Sequence, residues 1–232
     1  MKKLLAVLAA ALLLLPALPA AAEAETAKPA QPTLTYIGHA HLMIVTAEGT
    51  VIYIDPDKID GYTYTRKADI LLVTHEHNDH NLVDLVPQND GCTVLRVKQT
   101  INRDGTYNPF TIGEVTVIPV PAKNKYHDVK KTNGLILQFD GVTVYHASDT
   151  DKLASMADLR QYSVDYAFFP IDGKYNMDAA EAMECAELVG AKHNTPIHWF
   201  DADPAAFTPD SLLFMNYGDT VTLEAPGKPE GE

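Results

Sequence analysis

The chain has 232 residues, 46% hydrophobic and 21% charged, the balance of one globular domain with room for a two-layer core. Its formal net charge is −13 at pH 7. An acid excess of that size repels phosphate backbones and argues against a nucleic-acid polymer as substrate or partner.

The N-terminus reads MKKLLAVLAAALLLLPALPAAAEA: Lys2 and Lys3, an apolar run from Leu4 to Leu15, then small residues. This is the order of a secretory signal peptide over residues 1–24, with cleavage expected after Ala22 or Ala24. The alternative is an uncleaved anchor, but the run is twelve residues long and Pro16 and Pro19 follow it, which is short for a span. With no cysteine near the site for a lipid, no stable membrane anchor is expected. The mature protein is expected to be exported, to a periplasm or the medium. Residues 25–33 read as a flexible leader, 34–227 as one domain and 228–232 as a polar tail.

From Leu34 the chain reads as short strands, LTYIG, HLMIVTA and VIYIDP, separated by Gly, Glu-Gly and Asp-Pro punctuation. ADILLVTH is a buried strand running straight into a histidine-rich loop, and NLVDLVP is a short helix stopped by Pro87. CTVLRV, EVTVIPV, GLILQF and VTVYHAS are further strands, the last two joined into a hairpin by Asp140 and Gly141. LASMADLRQY then reads as a helix, VDYAFFPI as a buried strand and MDAAEAMECAELVG as a helix ended by Gly190. NTPIHWF and DTVTLEAPG complete the strands. Runs of strands followed by strands alternating with helices predict two sheets with helices packed outside. Cys92 and Cys185, 93 positions apart, are expected as buried thiols rather than a disulfide.

The loop VTHEHNDHN, residues 73–81, holds three of the nine histidines. In an extended segment residues i and i+2 project to one side, so His75 and His77 can face a common point; a helix would set them about 200° apart. Asp79 and His80 follow where the chain turns. Two donor pairs on successive backbone geometries suit two adjacent metal ions better than one. Imidazole mixed with carboxylate points to Zn²⁺ first, with Mn²⁺ and Fe²⁺ as alternatives. A solvated polar loop is the plain alternative, disfavoured by four ligand-type residues in six positions after a buried strand. Further ligands must come from elsewhere, and strand ends offer Asp149 in VYHASDTD and His198 in PIHWF, with His127 in NKYHDV. Taken singly, each is a weak signal: Asp149 also reads as a turn residue and His198 as a satisfied core histidine beside Trp199.

This H-x-H-x-D-H pattern after an apolar strand, with a later His, an Asp-Thr and a final His, resembles the metallo-β-lactamase fold superfamily from about Thr33 to Gly227. YIGHAHLMI, YHASDTD, FFPIDGKYNMDAAEAME and PIHWF are most similar to its ascorbate-6-phosphate-lactonase-like hydrolases. The resemblance implies an α/β fold, a four-layer αβ/βα sandwich with metals at the edge between two sheets. Carried across by position, it makes His75, His77 and His127 ligands of a first ion. It gives Asp79, His80 and His198 to a second, and it lets Asp149 bridge both. It further implies that Asp79 or Asp149 orients the attacking hydroxide and collects its proton. Two departures stand out. Ser148 takes the place of the usual Gly before the bridging Asp, and His127 lacks the usual Gly-His-Thr setting, which makes His146 its rival. His146 is read as core or as a group behind the ligands. His39, in GHAH, reads either as binding substrate or orienting a ligand, or as a buried turn residue. His41 reads as structural and His193 as surface.

The expected activity is hydrolysis of a small ester, lactone or phosphodiester by a metal-activated hydroxide, with no G-x-S-x-G nucleophile. One alternative is an exported metal-binding protein without catalysis. Another is a hydrolase fold kept as an interaction module, disfavoured by the presence of all seven ligand-type residues. Fold alone assigns no substrate, so β-lactam cleavage is not inferred. Di-iron oxygen chemistry is disfavoured because relatives performing it usually carry Glu where His77 stands. The enzyme reading requires Asp149 and His198 to lie beside the 75–80 turn.

Overall fold

Residues 30–225 are described by the computed structural model, so the readings placed on 1–24, on 25–29 and on 226–232 lie outside it. Two mixed sheets stack face to face. In the first, β1 (Thr33–Gly38), β2 (His41–Val45) and β3 (Val51–Ile54) form an antiparallel meander, and β4 (Ala68–Leu72) and β5 (Gln88–Leu95) continue it in parallel. In the second, β6 (Phe110–Ile112), β7 (Val115–Pro121), β8 (Asn133–Phe139) and β9 (Val142–His146) are antiparallel. β10 (Tyr166–Pro170) and β11 (His193–Ile197) then add in parallel. Last, β12 (Thr220–Thr222) closes the outer edge of the first sheet against β1.

Strand alternation explains the layers. On β10, Tyr166 and Phe168 face the core between the sheets, where they meet Leu34, Leu42, Ile52 and Ile70 of the first sheet. Ala167 and Phe169 face outward, under α2 (Ala179–Val189), whose Ala182, Cys185, Ala186 and Val189 cover them. Both faces of the strand are buried, so it reads as an unbroken apolar run. Over the first sheet the outer layer is thinner than the predicted helix layer. There Ile37, Tyr53 and Leu71 are covered by a 3₁₀ turn, Val83–Leu85, and a loop carrying Tyr62 and Tyr64.

The Asp140-Gly141 hairpin is present, with φ of 50° and 76°, the doubly left-handed turn that matches strand twist. Residues Ala154–Tyr162 form a 3₁₀ helix instead of an α-helix. Met156, Leu159 and Tyr162 recur every three residues against the sheet, which suits three residues per turn. Three short elements escape the sequence pattern: β6, three residues at a sheet edge, α1 (Val97–Thr100), a single turn, and a 3₁₀ turn at Pro204–Ala206. Both cysteines are free. Cys185 is buried on the inner face of α2, while Cys92 is half-buried on the outer face of the other sheet, which keeps the thiols in different layers and leaves one of them less enclosed than expected. Among the described residues no helix is long and apolar enough to cross a membrane.

Candidate metal centre

Parallel pairing decides where the polar residues meet. β3 and β4 run in parallel, so Asp55 and the His75 loop leave the first sheet at the same edge. β9, β10 and β11 do the same in the second sheet, delivering Asp149, Asp172 and His198 at their carboxyl ends. The histidine loop itself is a series of bends and a turn, closed by His80 N–H donating to His77 O, not the extended segment expected. The rings of His75 and His77 nevertheless stand 4.9 Å apart at their centroids.

Two four-residue groups result. In one, single donor atoms of His75, His77, His127 and Asp149 all lie within 4.8 Å of one another, and in the other those of His39, Asp79, His80 and His198 do. Asp149 stands between them. Its Oδ2 is 3.8 Å from His75 Nε2, and its Oδ1 is 3.4 Å from His80 Nε2 and 3.3 Å from His198 Nε2. His77 and His127 bring their Nε2 atoms to 3.2 Å. Atoms about 2.0–2.1 Å from a tetrahedral ion lie roughly 3.3 Å apart, so these spacings suit a divalent metal. Polarity agrees. Among the described residues the Nε2 atoms of His75, His80 and His198 and Oδ1 of Asp149 are buried without a hydrogen-bond partner. Such atoms are costly to leave unpaired, and a metal would satisfy them together. Asp55 also falls within range of His75 and His80, but its oxygens already accept from Thr74 N, Thr74 Oγ1 and His80 Nδ1.

The ring nitrogens facing away from this space are held. Asp55 Oδ2 accepts from His80 Nδ1 at 2.9 Å, and Asp172 Oδ2 lies 3.0 Å from His198 Nδ1. Asn124 Oδ1 lies 3.1 Å from His127 Nδ1 and also accepts the His127 N–H. The contacts on His80 and His127 put the proton on the outer nitrogen and leave the Nε2 lone pair for a metal, and the Asp172 carboxylate, at ion-pair distance from His198 Nδ1 without a hydrogen bond, favours the same tautomer there. Burial, only partly offset by Asp149, pushes His80 down to about 4. Burial and the surrounding imidazoles push His75 lower still. Both are neutral near pH 7, the form that binds metal. Burial raises Asp55 to about 6. Asp79 lies well below the usual carboxylate range, because the His39 hydrogen bond and nearby imidazoles outweigh its burial.

The family comparison agrees with this arrangement. The profile of the beta-lactamase superfamily domain matches residues 33–198, from the first strand to the last of these histidines. The chain belongs to the metallo-β-lactamase fold superfamily. Within that superfamily it is 30% identical over 207 residues to a UPF0173 metal-dependent hydrolase of Pyrococcus furiosus, covering 77% of this chain and 89% of the relative. A second so-named protein, from Methanosphaerula palustris, is 32% identical over 186 residues, 72% of this chain and 83% of the relative. The structure of Igni18, a metallo hydrolase from Ignicoccus hospitalis, superposes with a TM-score of 0.68 at 24% identity, over 84% of this chain and 99% of that one.

His146, the rival for a metal-facing place, is buried with both ring nitrogens engaged by backbone: Nε2 with Ala40 O at 2.7 Å and Nδ1 with Ser148 N–H at 3.1 Å. His39 faces the second group, its Nε2 3.2 Å from Asp79 Oδ2. His41 is buried among Tyr53, Tyr62 and Tyr64, and His193 is exposed. Sequence reasoning missed Asp55, Asp172 and Asn124. The two aspartates had a readable signal: each directly follows a buried apolar strand, VIYI or YAFFPI, as Asp149 follows VYHAS.

Proposed function

We propose that the protein is an exported hydrolase that binds one or two divalent transition-metal ions, Zn²⁺ first, and cleaves a small ester, lactone or phosphodiester. His75, His77 and His127 would hold one ion and Asp79, His80 and His198 the other, with Asp149 placed between the two groups. The observation that carries this reading is the convergence of two donor groups on one shared carboxylate, with one side open at His77 and at Asp79, whose side chain is 41% exposed. An open side suits catalysis better than storage, because a substrate must reach the metals. Export rests on the lysine, apolar and small-residue order of the first 24 residues.

Two bound metal ions would supply a water of lowered pKa and a Lewis acid for the oxygen under attack. The chain does the rest. Asp149 has both oxygens committed between the two groups, so Asp79, half-exposed at the mouth and held ionised, is the better placed carboxylate to orient the attacking water. His39 fixes the Asp79 carboxylate through Nε2.

Elemental analysis after reconstitution with Zn²⁺ or Mn²⁺ tests the reading, followed by a panel of lactones, phosphodiesters, thioesters and β-lactams. Between one and two ions per chain are expected, and none after reconstitution overturns it. His77→Ala is expected to lower metal content and hydrolysis together, while His193→Ala changes neither. Asp149→Ala should abolish activity more completely than His146→Ala, and the reverse order would mean that the wrong residue has been placed between the ions.

A further inference from the structure

Three aromatic rings stand exposed at the mouth of the donor groups: Tyr126 at 53%, Tyr175 at 37% and Phe200 at 52%. They form one chain of contacts. Phe200 lies 4.8 Å from the rings of both His39 and His198, Tyr175 lies 5.9 Å from Phe200, and Tyr126 lies 5.7 Å from Tyr175. Since His127 follows Tyr126 directly, the rings run from one donor group to the other.

This wall is held in place. Asn124 Oδ1 accepts the N–H of Tyr126 as well as that of His127, and Asn124 Nδ2 donates to Asn176 Oδ1 at 2.8 Å. Asn176 Nδ2 donates to Asp172 Oδ2, and Asp172 Oδ1 accepts the N–H groups of Lys174 and Tyr175. The polar bracket that orients His127 and His198 therefore positions Tyr126 and Tyr175 too. Phe200 sits at φ 45°, a left-handed conformation that costs a non-glycine residue about 1 kcal/mol or more. Its strained backbone sets an apolar ring against the donor groups, half in water.

The wall also carries cations. Lys125 Nζ lies 5.1 Å from the Tyr126 ring centroid and Lys174 Nζ 4.8 Å from that of Tyr175, with Lys174 also feeling the Asp201 carboxylate and Lys125 that of Asp151. In a chain of net charge −13, two ammonium groups on the rim of the site select for negative charge.

We infer that the substrate is an anion with a flat apolar group, such as a ring, between its scissile bond and a second negative charge. The ring lies on Phe200, Tyr175 and Tyr126, and the distal carboxylate or phosphate meets Lys125 and Lys174. This rests on the hydrolase reading and adds the class of molecule it takes.

Binding of product-like anions to the Zn²⁺-loaded protein, measured by calorimetry, tests it. Terephthalate and biphenyl dicarboxylate, which offer two spans, are compared with benzoate, which lacks the second charge, and with adipate, which lacks the ring. The better dicarboxylate is expected to bind at least tenfold more tightly than either control. Lys125→Ala with Lys174→Ala should erase the advantage over benzoate, and Phe200→Ala with Tyr175→Ala the advantage over adipate. All four side chains are on the surface, so the variants should fold, and a circular dichroism spectrum checks this. Equal affinity of all probes, or an advantage that survives both double variants, overturns the inference. Failure to load metal at all would instead strike the hydrolase reading.

Discussion

At the scale of single residues, Ser148 shows how this site is built. It occupies the left-handed region at φ 64°, where glycine would be unstrained. The hydroxyl offsets that strain, with Oγ donating to Thr74 Oγ1 at 2.7 Å and lying 3.2 Å from Thr132 Oγ1. Ser148→Ala keeps the strain and loses the bonds, so it should cost about 1–2 kcal/mol in urea unfolding. Ser148→Gly loses the same bonds but relaxes the backbone and should cost less. Asp172 acts through His198 and the loop N–H groups. Those partners outweigh its burial and hold its carboxyl well below the ordinary range. Asp172→Asn should weaken metal binding by about 10–100-fold in chelator competition, with little change in the circular dichroism spectrum.

Among the elements, α2 fits its sequence pattern closely. Asp178 accepts the Glu181 N–H at the N-terminus, and Gly190 at φ 70° ends the helix. Arg160 from the neighbouring 3₁₀ helix donates to the carbonyls of Leu188 and Glu187, covering the last turn. Asp178→Ala should lower stability by about 1 kcal/mol in thermal or urea melts. Most strands were legible because they are apolar runs bounded by turn residues, whereas β5 begins in the polar stretch Gln88–Gly91, ahead of the CTVLRV run. The 3₁₀ form of Ala154–Tyr162 was not, since a few apolar residues fit either helix until the sheet beneath selects the three-residue spacing. β6 was missed because three residues at an edge carry too little pattern to read.

For the whole molecule, the buried imidazoles set the pH response. Burial lowers His41 to about 3 and His80 to about 4, and it lowers His75, His127 and His146 as well. The unfolded chain therefore binds protons that the fold refuses as pH falls below about 6.5. Asp55, raised to about 6, works the other way, gaining a proton in the folded state between about 6 and 4. His198, raised despite burial by Asp149 and Asp172, also opposes the trend. Asp57 and Asp151, raised by burial, oppose it too, while Asp79 and Asp172, held low, add to it, and the five lowered histidines decide the balance. The melting temperature of metal-free protein is expected to fall steadily from pH 7 to pH 4, and a flat or rising profile would contradict the burial of these rings.

The chain's own order of residues determined the strands, the superfamily and a short set of donor side chains, because apolar periodicity and a dense histidine motif are local properties. Which donors face one another was a matter for the tertiary structure alone. Parallel pairing of β3 with β4, and of β9, β10 and β11, brings residues 55, 75, 149, 172 and 198 to common edges. Asn124 carries no local signal, Asp55 and Asp172 carry only their place at the end of an apolar strand, and the role of all three comes from the histidine each one faces. Distances between residues far apart in sequence follow from how sheets pair and pack, and no window along the chain contains that information.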